Sequence, residues 1–127
     1  MRPPPASRQF TAAYYRRCVD MDAVDRVLLA VEQIPPGQVA SYGLIGAITG
    51  VGPRQVGRIM GAYGGFVPWW RVTNARGELP PSVLKETLPH WQEEGIALAE
   101  HGRGFAFRAH VTDAVGLKRA YERHESF

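Results

Sequence analysis

The sequence predicts a mainly α domain with short β elements, arranged as a winged helix-turn-helix. Three observations carry that prediction: an amphipathic stretch at helical spacing near residues 22–34, two shorter helical stretches meeting at Thr49-Gly50-Val51-Gly52, and two short apolar stretches flanking His101-Gly102-Arg103-Gly104. At 127 residues the chain is long enough for one core and too short for two. One domain is therefore expected over residues 10–127, after a flexible arm at residues 1–9 that holds three consecutive prolines and few apolar side chains.

Composition narrows the function classes. Hydrophobic residues at 45% and charged residues at 21% fit a globular protein rather than a fibrous or wholly disordered one. No apolar run approaches the roughly 18 residues of a membrane span, and the N-terminus has no apolar signal segment, so a cytoplasmic protein without membrane association is expected. The single cysteine, Cys18, has no internal disulfide partner and reads as structural or incidental. His90, His101, His110 and His124 are too scattered for metal-ligand spacing, so no metal and no cofactor are expected. The net charge of +3 comes almost wholly from arginine, with lysine only at Lys85 and Lys118. Arginine's planar donor fork suits phosphates and base edges, which makes nucleic acid a reasonable partner.

The elements follow in order. Val24, Val27, Leu28, Val31 and Ile34 recur at three- and four-residue spacing, predicting a helix over residues 22–34 that Asp20 or Asp22 can cap and Pro35-Pro36-Gly37 ends. Residues 38–40 are short and extended; Ser41 is placed to cap a helix reaching about Ile48. After the glycine turn, Pro53 is a natural first helical residue, and the next helix runs to about Tyr63, where Gly64-Gly65 stops it. Residues 66–72 should be extended or irregular, Asn74-Ala75-Arg76-Gly77 a turn and Pro80-Pro81 a loop. A helix is expected over residues 82–94, broken or restarted at Pro89 and ended by Gly95. Residues 96–99 and 105–108 are expected to form a small hairpin, the wing, and residues 112–123 a weak helix.

The helix expected from Pro53 has two faces at about 100° per residue. Val56, Ile59, Met60 and Tyr63 lie on one side; Arg54, Gly57, Arg58 and Gly61 lie on the other. A glycine inside a helix costs about 1 kcal/mol relative to alanine, so two on an exposed face require a reason. Close approach by another molecule is one, and the two arginines beside them suit a nucleic-acid groove. Tyr42 opens the preceding helix, which in helix-turn-helix proteins crosses the DNA backbone; its hydroxyl either bonds a phosphate or the ring packs half-buried.

Three motifs carry a resemblance: Ile34-Pro35-Pro36-Gly37-Gln38-Val39-Ala40-Ser41-Tyr42-Gly43, then Gly52-Pro53-Arg54-Gln55-Val56-Gly57, then Val67-Pro68-Trp69-Trp70-Arg71-Val72. In order and spacing they resemble the DNA-binding, C-terminal domain of the O6-alkylguanine-DNA alkyltransferases, over about residues 24–95. There the third motif reads Pro-Cys-His-Arg-Val, and its cysteine takes the alkyl group. Here Trp69 stands at the cysteine position and Trp70 at the histidine position, which is similar to the alkyltransferase-like proteins that bind alkylated guanine without repairing it. An indole carbon is no thiolate, so no enzyme is expected.

The resemblance implies double-stranded DNA containing O6-alkylguanine as the partner, nucleotide excision repair proteins downstream, and a monomer. It implies that Tyr42 acts on the phosphate flanking the lesion and that Arg54 enters the duplex where the flipped base leaves; Gly57, Arg58 and Gly61, on the same helix face, would complete the DNA-binding surface. Pro68, Trp69, Trp70 and Tyr42 would form the alkylguanine pocket, with Trp70 either in that pocket or turned inward as an anchor. Arg71 would order the loop by bonding buried carbonyls. The family's asparagine hinge is replaced by Tyr63-Gly64-Gly65-Phe66, and Arg76 is the nearest candidate for an arginine that reads the alkylguanine. The alternative is a winged helix-turn-helix regulator of undamaged DNA, which would require a dimer interface for half-site spacing.

Overall fold

A computed structural model describes residues 21–125 of the chain; the arm expected at residues 1–9, Cys18 and the cap candidate Asp20 lie outside the described residues. Helix α1, Met21–Glu32, buries Ala23, Val24, Val27, Ala30 and Val31. It stops short of the expected residue 34, because a residue before proline avoids the α region. The chain tightens instead, with Gln33 N–H donating to the Ala30 carbonyl and Ile34 N–H to the Val31 carbonyl, both at 3.1 Å. Ile34 still reaches the core.

Strand β1 is Ala40–Ser41 rather than residues 38–40, and it pairs in parallel with β2, Val72–Thr73, in the register Ala40 to Val72. Val39 bonds elsewhere: its N–H donates to the His110 carbonyl at 2.8 Å and its carbonyl accepts from Thr112 N–H at 2.9 Å. Gln38 lies in the turn after Pro35, its N–H bonded to the Pro35 carbonyl.

Helix α2, Tyr42–Thr49, starts as its sequence predicts, with the Ser41 hydroxyl accepting from Leu44 N–H at 3.0 Å. Gly50 closes it in the left-handed region at φ 80°. Helix α3, Pro53–Tyr63, has proline in its first turn and follows at once. The α2 to α3 crossing is close: a Cβ on Gly46 would lie 2.4 Å from the Val51 carbonyl oxygen. Only glycine fits at that crossing.

Beyond Tyr63 the glycines do not simply stop the chain. Gly64–Phe66 continues as a single 3-10 turn, Trp69–Arg71 makes a second, and β2 follows, so the stretch expected to be extended or irregular consists largely of two turns. Helix α4 is Pro81–Glu94 and runs unbroken through Pro89. Lys85 and Pro89 are both exposed, so water can satisfy the carbonyl that the proline leaves without a donor. Gly95 ends α4 in the left-handed region, φ 75°.

The expected wing is reduced to single bridges, Leu98 with Phe105 and Glu78 with Gly104. Phe105 is drawn into a second core with Val39, Leu79, Trp91 and Ile96, its ring 6.1 Å from Trp91 and edge-on to it. The chain then turns into the short helix α5, Phe107–His110, in place of the second strand. Helix α6, Ala114–Glu125, lays Leu117 and Tyr121 into the main core and packs on α1. The structure is thus mostly helical with one two-stranded sheet among the described residues. Its main core holds the helix-turn-helix, and its second core supports the loop that carries the tryptophans.

Candidate nucleic-acid interface

Helix α3 divides as its sequence predicts. Val56, Ile59 and Tyr63 are buried, Met60 is half-buried, and Arg54, Arg58 and Gly61 are exposed, with Gly57 half-buried beside them. A Cβ added at Gly57 or Gly61 would meet nothing within 4 Å. Internal packing therefore does not require either glycine, in contrast to Gly46. What they leave is a strip of backbone bare of side chains, on the same exposed face of α3 as Arg54 and Arg58.

That strip forms one wall of a cleft of about 420 Å³. Gly57, Met60 and Gly61 contribute from α3, Gly64 and Gly65 from the following turn, Tyr42 from α2, Val83 and Glu86 from α4, and Trp69 from the loop between them. The size falls within the range of small-molecule sites. Tyr42 is half-buried against the main core, and burial pushes its phenol pKa up, so at neutral pH the hydroxyl keeps its proton and can donate.

Trp69 and Trp70 part ways. Trp69 lines the cleft, half-buried, with its ring edge-on to Trp70 at 5.6 Å and to His90 at 5.4 Å. Trp70 turns inward: its ring stacks on His90 at 3.9 Å and 7°, and its Nε1 donates to Glu94 Oε2 at 2.8 Å. It packs against the second core and does not line the cleft. Pro68 is also absent from the lining; its carbonyl accepts from Arg71 N–H at 3.1 Å and so closes the turn that presents Trp69. Of the four residues expected in the pocket, the structure brings Tyr42 and Trp69 together. Arg76 is exposed in its turn, likewise outside the cleft lining.

Glu94 holds this loop in place. Its carboxylate accepts from Gly37 N–H at 3.0 Å, from Trp70, and from Arg71 through Nε at 3.0 Å and Nη2 at 2.5 Å. Arg71 and Glu94 side chains are only 13% and 10% exposed, so the pair is largely shielded from water. Burial pushes the Glu94 carboxyl pKa up, but the hydrogen bonds from Arg71, Gly37 and Trp70 and the Arg71 charge outweigh it and hold the group below the usual carboxylate range. Arg71 also donates from Nη1 to the Ile34 carbonyl at 2.9 Å, and Trp91 Nε1 donates to the Trp70 carbonyl at 2.7 Å. Arg71 thus binds one carbonyl and one carboxylate, where carbonyls alone were expected.

Sequence reasoning missed the contribution of α4. Val83, Glu86, His90 and Glu94 recur at three- and four-residue spacing on one helix stripe, with Thr87 and Trp91 beside them. That stripe, interrupted in reading by Pro89, was the signal available.

Comparison with known proteins adds three findings. The pattern of the 6-O-methylguanine DNA methyltransferase DNA-binding domain matches residues 22–96. A DNA base-flipping protein of Vibrio parahaemolyticus is 32% identical over 84 residues, which span 61% of this chain and 84% of that protein. The crystal structure of S. pombe Atl1 in complex with damaged DNA containing O6-carboxymethylguanine superposes with a TM-score of 0.65 at 27% identity, covering 74% of this chain and 97% of that one.

Proposed function

This chain belongs to the family of the 6-O-methylguanine DNA methyltransferase DNA-binding domain, in its alkyltransferase-like branch, and from that membership we propose that it binds O6-alkylguanine in duplex DNA by nucleotide flipping and does not repair it. One observation carries the reading: the cleft beside α3 is lined by Trp69, the residue that the motif resemblance aligns with the acceptor cysteine of the repair enzymes, and none of the described lining residues carries a thiol. Alkyl transfer requires an activated nucleophile with a base to take its proton. What remains is a receptor for the flipped base.

In this reading α3 enters the groove with its glycine strip against the DNA and Arg54 and Arg58 beside it on the same face. Minor-groove entry bends the duplex. Tyr42 donates to the phosphate flanking the lesion, and Arg54 fills the space the base vacates. Extrusion costs a few kcal/mol, less for a damaged base. Stacking on Trp69, typically worth about 1–3 kcal/mol per base, offsets much of that cost. Trp70, Arg71 and Glu94 act through Trp69, by fixing the loop that presents it. The protein works as a monomer, and the bent, flipped complex marks the lesion for nucleotide excision repair.

A band-shift titration at fixed salt with duplexes differing only in one base, guanine or O6-methylguanine, tests this, run beside a labelled-methyl transfer assay. Preference for the lesion without transfer of label is expected. Equal affinity for the two duplexes would remove the damage-binding reading, and a stable protein-bound methyl group would show a repair enzyme.

A further inference from the structure

Of the described residues that line the cleft, Glu86 alone carries a charge. It is exposed, in the middle of α4, with Val83 one turn before it on the same stripe and His90 one turn after. Among the described residues Asp22 pairs with Arg26, Glu94 with Arg71, and Glu78 with His101 and Arg103, whereas no described cation forms an ion pair with Glu86. The opposite wall is glycine backbone, and Trp69, Met60 and Val83 supply apolar surface.

We infer that Glu86 is a specificity-determining residue: it selects against O6-alkyl groups that carry negative charge and favours neutral ones, above all those that carry a hydrogen-bond donor. The inference rests on the cleft being the alkylguanine pocket. A flipped guanine stacked on Trp69 presents its O6 substituent to the cleft walls, and the one acidic wall belongs to α4. A carboxylate accepts hydrogen bonds and offers none, so an amide or amine on the substituent gains a partner while a second carboxylate is repelled. The S. pombe relative was solved with DNA containing O6-carboxymethylguanine, an adduct with such a carboxylate. Like charges about 6 Å apart differ in affinity by about threefold at the dielectric constant of water and by about a hundredfold at an effective value of 20. Because the cleft is open and salt screens it, about three- to tenfold is the expected range.

The test uses the full chain and four duplexes identical except for one base: guanine, O6-methylguanine, O6-carboxymethylguanine and its uncharged isostere O6-carbamoylmethylguanine. The quantity read is the ratio of carboxymethyl to carbamoylmethyl dissociation constants, in which every contact to the rest of the duplex cancels. The wild-type ratio should be about three to ten. Glu86→Gln should bring it close to one, and Glu86→Lys should invert it. A wild-type ratio near one, or a ratio unmoved by both variants, would overturn the assignment of Glu86 while the methyl preference kept the pocket. Loss of that methyl preference in the wild type would instead overturn the pocket, and Glu86 with it.

Discussion

Alanine at Gly57 and Gly61 should make the protein more stable and a poorer DNA binder. Both positions lie within α3, where a Cβ meets nothing within 4 Å, so the added methyl groups cost no packing in the free protein. Each substitution removes the entropic cost of helical glycine, about 0.8–1.0 kcal/mol. The double variant gains about 1.5–2 kcal/mol, which raises Tm by roughly 6–8 °C for a chain of this size. Bound DNA would meet the same methyl groups as overpacking, which typically costs about 1–3 kcal/mol, or about 5- to 150-fold in Kd. Thermal denaturation followed by circular dichroism and band-shift titration on one preparation give both numbers. A double variant that is more stable and binds DNA with unchanged affinity would show that this strip faces solvent, and groove insertion of α3 would be wrong.

Other substitutions probe the supporting parts. Arg54→Ala should weaken lesion binding by more than Arg58→Ala, measured by the same titration; the opposite order would place Arg58 in the duplex. Glu94→Ala strands the Arg71 guanidinium, which is 13% exposed, and should cost about 2–4 kcal/mol by denaturant unfolding. The Glu94 carboxyl is held below its ordinary value of 4.5, so the folded state binds fewer protons than the unfolded state at acid pH. The stability it contributes is complete above about pH 4.5 and is lost as pH falls through the folded value. Wild-type unfolding free energy should therefore decline below about pH 4.5, with a shallower decline in Glu94→Ala; equal slopes would show that another group controls the acid limb.

The helix-turn-helix was legible because its signals are local. Ser41 caps α2 from three residues away, Gly50 and Pro53 punctuate the turn, and the bounds of α3 are those its sequence predicts. The same local reading placed the wing but overextended it, since Phe105 is claimed by Trp91 and the chain turns helical at Phe107, and it broke α4 at Pro89, where exposure makes the lost hydrogen bond tolerable. Of the four residues the motifs suggested for the pocket, Tyr42 and Trp69 line the cleft, and Gly57 and Gly61, expected only on the DNA face, line it as well. The α4 wall of that cleft was not legible. Glu94 meets Gly37 across 57 positions of sequence, and nothing nearby marks it out from Glu93. The destination of Trp70 followed from Glu94 and His90, so it was settled only by the folded chain.

Trp69→Ala separates a lesion receptor from a general DNA binder. Trp69 lines the cleft, while the loop around it is anchored through Trp70, Arg71 and Glu94, so the variant should keep its fold and its affinity for an undamaged duplex within about twofold. Stacking worth about 1–3 kcal/mol per base would disappear, and the O6-methylguanine to guanine affinity ratio should fall about 5- to 150-fold, to near one. A variant that folds normally and keeps the wild-type ratio would mean that the alkylated base does not enter this cleft.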